Sequence, residues 1–121
     1  MIIQILKSKI ERAITTKVNF TQDEGVLIDK KLIDAAKLRQ FQKVEIYNLN
    51  NGNRFSTFVI EGTDGEISVN GAAARLVQNG DLLIIASYVH LDEKDAESHH
   101  PKIVFVDENN KIVIKEENDW N

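Results

Sequence analysis

Residues 50–53 read Asn-Asn-Gly-Asn, and they separate two runs with extended character, KVEIYNLN (43–50) and RFSTFVIEG (54–62). Asn and Gly accept positive φ at little steric cost, which a short connection between right-twisted strands requires. A hairpin turn at Asn51-Gly52 is therefore the strongest local constraint on the fold. The rest of the chain repeats the theme. IIQIL (2–6), AITTKVNF (13–20), VLI (26–28) and ISVN (67–70) read as short strands between Gly/Asn turns. LLIIASYVHL (82–91) is nearly continuous apolar, the mark of a strand covered on both faces. KIVFVDENNKIVIK (102–115) reads as a terminal hairpin beyond the lone Pro101, and 116–121 as a polar tail that frays.

Helical signal is sparse. Asp29 can cap a helix near 30–37, in which Leu32, Ile33 and Ala36 share one face. GAAARLV suggests a further helical turn, with Gly80 in QNGD available as a left-handed cap. Many short strands with one clear helix predict a mainly β fold, a small closed barrel with one or two short helices. The 121 residues suit a single domain spanning 1–121.

Composition removes several functions. Cysteine is absent, so disulfides, thiolate metal sites and cysteine nucleophiles are excluded. A net charge of −4 argues against a nucleic-acid partner. No apolar run approaches the roughly 20 residues of a membrane span, and the opening MIIQILKSKIER is too short in its apolar part for a signal peptide. A cytoplasmic protein is expected. Adjacent His99 and His100 point to opposite sides of a strand, so no metal site is expected there, and His90 reads as structural.

Four stretches in order, LKSKIERA (6–13), EGVLIDKKLIDAA (24–36), NLNNGNRFSTF (48–58) and ISVNGAAARLVQNGDLLIIASY (67–88), resemble the pyruvoyl-dependent aspartate α-decarboxylases of pantothenate synthesis. The resemblance covers nearly the whole chain. It implies a double-psi β-barrel assembled as a homotetramer, with active sites between subunits. It also implies maturation at a Gly-Ser bond, whose serine becomes a pyruvoyl group that condenses with the substrate amine and accepts the electrons left by CO₂.

Against that family pattern, QDEGVLID (22–29) lacks the serine. A gapless register from Met1 puts Gly25 at the serine position, and aligning Gly25 with the family glycine puts Val26 there. Neither carries an oxygen nucleophile, so no pyruvoyl, and no other cofactor, is expected. The family's proton-donating tyrosine is matched by Phe58, which has no proton to give. Glu11 and Gln22 stand where histidine and tyrosine are common, and Tyr47 where tryptophan often is. Much else is kept. Lys9 and Arg54 match the family's carboxylate-binding cations, Thr57 the residue that orients the cleavage-site carbonyl, and Asn70, Gly71, Ala72 and Ala73 a turn whose amides face the substrate.

A frame that binds anions without its electron sink suggests a changed reaction: hydrolysis or acyl transfer on a carboxylated or thioester substrate, small or carrier-borne. Glu11 would be the base and Lys9 its catalytic neighbour, since i and i+2 on a strand share a face. Asp23 and Glu24 are the weaker candidates for that base, an acidic loop being usually solvated. Two other readings stand beside it. One is a non-catalytic binding or regulatory relative. The other is a true aspartate decarboxylase, making β-alanine, in which GVLID is the remnant of G-S-V-L-I-D.

Overall fold

A computed structural model describes residues 1–114. The expected terminal hairpin therefore loses Lys115, and the tail 116–121 lies outside the described residues. Among the described residues nine strands dominate: β1 (Ile2–Ile14), β2 (Lys17–Asn19), β3 (Gly25–Asp29), β4 (Lys43–Asn48), β5 (Arg54–Gly62), β6 (Ile67–Asn70), β7 (Leu82–Asp92), β8 (Lys102–Val106) and β9 (Ile112–Val113). Two short helices join them, α1 (Lys30–Ala35) and α2 (Glu93–Ala96), together with a 3₁₀ turn, Gly71–Leu76. The strands form one mixed sheet in the order β2-β6-β3-β5-β4-β7-β1-β8-β9. It curls around a single core as a small β-barrel, as the sequence pattern predicts.

The core is aliphatic. Ile10, Ile28, Leu32, Val44, Ile46, Val59, Ile67, Leu83 and Ile85 are sealed from solvent, each contributing about 1.5–3 kcal/mol of apolar transfer energy. The β4–β5 hairpin forms as expected, with Tyr47 opposite Arg54 and Val44 opposite Thr57. Its loop does more than reverse the chain. The side-chain amides of Asn48, Asn51 and Asn53 all donate to the Leu76 carbonyl, at 3.2, 3.2 and 3.3 Å. They satisfy the end of the 3₁₀ turn and so fix the segment that carries Ala73.

Several elements differ from expectation for identifiable reasons. The expected strands 2–6 and 13–20 are redistributed: β1 runs unbroken to Ile14 because β7 pairs along its whole length, and β1 absorbs its irregularities as register shifts at Leu6/Ser8 and Ile10/Ala13, with Arg12 at φ +60°. β7 is buried only over its first half; from Tyr88 onward it is half-buried or exposed, and His90 is exposed rather than packed in the core. Pro101 does not divide barrel from hairpin, since β8 pairs in parallel with β1 and continues the sheet. Gly80, at φ +87°, sits in a turn bonded to Thr15 and does not cap the 3₁₀ turn, which ends at Leu76 with Val77 extended. The helix at 30–35 does start on Asp29, whose carboxylate accepts from the Lys31 amide at 2.9 Å.

The sheet's far edge is fastened by one residue. Asn110, 2% exposed, accepts from the Ile14 amide at 2.8 Å and donates to the carbonyls of Ile14 and Gly65. Among the described residues no helix is long and apolar enough to cross a membrane.

Candidate functional site

The family resemblance points to two places, and the barrel presents them differently. The first is the start of β3. Gly25 pairs with Asn70 of β6, while the β3–β5 pairing begins one residue on, Val26 opposite Val59. Gly25 has φ +147°, a region L side chains rarely adopt. A Cβ placed there would lie 2.9 Å from Ile60 Cγ1 and 3.5 Å from the Phe58 ring. Phe58 thus stands against position 25, and the site has closed around a residue with no side chain.

Beside it, Glu24 turns its carboxylate inward. Oε2 accepts from the Thr57 hydroxyl at 2.8 Å, and Oε1 receives a long contact from the Ala73 amide at 3.4 Å. Thr57 is 6% exposed, so its hydroxyl is aimed by packing. Gly71 is required in this corner: at φ +78°, a Cβ would come within 2.7 Å of Glu24 Cα and 2.5 Å of Oε1. Ala73 is buried and Ala72 exposed, while Asn70 ends β6 without capping the 3₁₀ turn. The sequence pattern places Glu24 in a solvated acidic loop with Asp23, a weak candidate. Asp23 is exposed, but Glu24 is half-buried and is the acid that reaches Thr57. The available signal was the gapless register, which puts Glu24 where the family has glycine.

The second place is the face of β1, β4, β5 and β7. Lys9 and Glu11 form an ion pair at 2.9 Å, both side chains about one-fifth exposed. Arg54 lies over the Tyr47 ring, 4.4 Å from its centroid, and the Tyr47 hydroxyl bonds that of Tyr88 at 2.6 Å. Burial, then the bond to Tyr88, pushes the Tyr47 phenol up to about 12. Lys9 pairs with Ala86, which pairs with Glu45 on its other side, while Tyr47 pairs with Arg54. Lys9 and Arg54 are thus three strand spacings apart, about 14 Å along the sheet. The described residues contain no group of three or more metal-ligating side chains, and His99 instead bonds the Leu6 carbonyl at 2.7 Å.

Thr57 and Gly71 thus meet at the start of β3, where the sequence resemblance to aspartate decarboxylases puts the site. The aspartate decarboxylase family model matches residues 1–113, and the chain belongs to that family. It is 50% identical to an aspartate 1-decarboxylase of Hydrogenobaculum sp. (strain Y04AAS1) over 109 residues, 90% of this chain and 87% of that one. It is also 50% identical to one from Caldicellulosiruptor saccharolyticus, covering 93% and 90% of the two chains. A Bdellovibrio bacteriovorus aspartate 1-decarboxylase is 48% identical over 98% of this chain and 96% of its own. These relatives correct the expected hydrolase or acyl-transfer reaction. Relatives so similar along the whole barrel are named for decarboxylation of aspartate, and nothing favours a thioester substrate. An enzyme family is what the comparisons support; a thioesterase is not.

Proposed function

We propose that this chain takes aspartate, the substrate for which its relatives are named, as its ligand, and that it binds aspartate without decarboxylating it. The observation that carries the aspartate half is the near-full-length identity to aspartate 1-decarboxylases; Lys9, Arg54 and Thr57, which the sequence resemblance matches to family positions, support it. A dicarboxylate suits a guanidinium fork and an ammonium on opposing strands. Assembly into a homotetramer, which the family resemblance implies, belongs to the same proposal.

The other half rests on residue 25. Gly25 has no oxygen to form an ester with the preceding carbonyl, and the backbone there has no room for a β-carbon without moving Ile60. The family's pyruvoyl does not fit these residues. Phe58 likewise has no proton to supply.

A second reading, complete aspartate 1-decarboxylase activity yielding β-alanine and CO₂, is favoured by the level of identity to relatives of that name. Intact mass, aspartate calorimetry and a β-alanine assay on the same preparation separate the two. One 13.7 kDa chain that binds aspartate and yields no β-alanine is the expected result. Two fragments and β-alanine would establish the second reading, and a folded protein indifferent to aspartate would remove both. Light scattering checks the assembly: a monomer at micromolar concentration would remove the shared site.

A further inference from the structure

Two half-buried acids, Glu24 and Glu45, have no counter-charge among the described residues, and of the two only Glu24 lies at the corner where β3 begins. The other acids withdrawn from water have partners. Asp29 accepts from the amides of Lys31 and Gly65, Asp81 from Asn48 and the Gln78 amide, Glu66 from Thr63 and Ser68, and Glu11 holds Lys9. Glu24 has one hydroxyl at 2.8 Å and one amide at 3.4 Å, and among the described residues no cation pairs with it. A half-buried charge without a counter-charge is costly unless something else supplies one. The corner is nevertheless built to hold it. Thr57 fixes one oxygen, the missing β-carbon of Gly71 leaves space for the other, and the hairpin asparagines pin the 3₁₀ turn behind Ala73.

We propose that Glu24 is an ammonium anchor: its carboxylate receives the amine of the bound amino acid as a non-covalent, charge-assisted hydrogen bond. No bond is made or broken. This rests on the aspartate reading for the ligand, and it assigns the amine a partner in a site with no electrophile at residue 25. The anchor makes the site selective for amino dicarboxylates over plain ones, because a ligand lacking the amine leaves the Glu24 charge uncompensated and adds its own repulsion.

Calorimetry with L-aspartate and with succinate, which lacks only the amine, tests the anchor on the intact protein. Aspartate should bind at least about tenfold more tightly, and Glu24→Gln, checked for fold by circular dichroism, should erase that ratio. An unchanged ratio in Glu24→Gln overturns the anchor. So does tighter binding of both ligands to Glu24→Gly, which would make Glu24 a plug. If neither dicarboxylate binds, the aspartate reading falls, and the Glu24 carboxyl carbon resonance decides the anchor separately. Titration with propylammonium, which has no carboxylate, should then shift that resonance in the parent protein; no shift overturns the anchor.

Discussion

The two parts of the site handle charge in opposite ways. On the β1/β4/β5/β7 face, the charges carried over from the family pattern have company: Lys9 holds Glu11, and Arg54 lies on Tyr47, itself bonded to Tyr88. In the corner where β3 begins, the backbone is tight and unusual, and the Glu24 carboxylate has no cation partner among the described residues. The first region is self-sufficient in a single chain, whereas the second is sterically finished but electrostatically open. The steric frame at Gly71 is held by the Glu24 backbone, which few substitutions can alter.

The steric half of this comparison is broken most directly at Gly71. Gly71→Ala should destabilise by about 2–4 kcal/mol, combining a left-handed backbone with a β-carbon pressed on Glu24 Cα. Gly52 has the same φ of +78° with nothing within 4 Å, so Gly52→Ala should cost only about 1 kcal/mol. Urea denaturation of both checks the claim; equal losses would mean that the corner is not tight. Next in size is Gly25→Ser, expected to cost about 1–3 kcal/mol through its φ of +147° and the 2.9 Å approach to Ile60. In a double-mutant cycle, Ile60→Ala should recover part of that loss. Additive losses would place the strain elsewhere. Restoring the family serine is therefore a matter of backbone as well as chemistry.

Thr57→Val probes the electrostatic half. It keeps the shape of a 6%-exposed residue and removes the hydroxyl that Glu24 accepts from. About 1 kcal/mol should be lost, modest because Glu24 is only half-buried and water can replace the donor. A loss as large as that of Gly71→Ala would mean that the carboxylate holds the corner together and is not open to a ligand.

These distinctions were partly visible in the sequence. The Asn-Asn-Gly-Asn hairpin, the Asp29 cap and the strands at 54–62 and 67–70 follow from local turn chemistry and propensity, and they appear where expected. The continuity of β1 does not, because it is set by pairing with β7 about 80 residues away. The same non-local cause makes β8 part of the main sheet. At the site, the identity of residues 9, 11, 54 and 57 was legible, as was the shared face of Lys9 and Glu11. That Lys9 and Arg54 stand three strands apart required the strand order. Glu24 was undervalued because its side chain turns inward on a contact with Thr57, and no pattern in DEGVLID signals a partner 33 residues away.

The smallest expected effect lies on the self-sufficient face. The Tyr47 phenol is pushed up to about 12, first by burial and then by its bond to Tyr88, while Arg54 acts in the opposite direction. The folded value exceeds the unfolded one near 10, so the associated stability is complete below pH 10 and is lost as pH rises toward 12. Near neutral pH, Tyr88→Phe should change stability by no more than about 1 kcal/mol. Its value lies in the readout: the chain has two tyrosines, and the variant leaves Tyr47 as the only phenol. Ultraviolet titration should then show Tyr47 below 12 but still above 10, because burial persists when the hydroxyl partner is gone. Arg54→Ala should move the same phenol further up, since it removes the one positive charge that favours the phenolate. If Tyr88→Phe leaves the titration where it was, the two hydroxyls are not bonded, and Arg54 loses the rigid ring on which its orientation depends. If it falls as expected, Arg54 is presented by a fixed aromatic platform, ready for an anionic ligand without prior rearrangement.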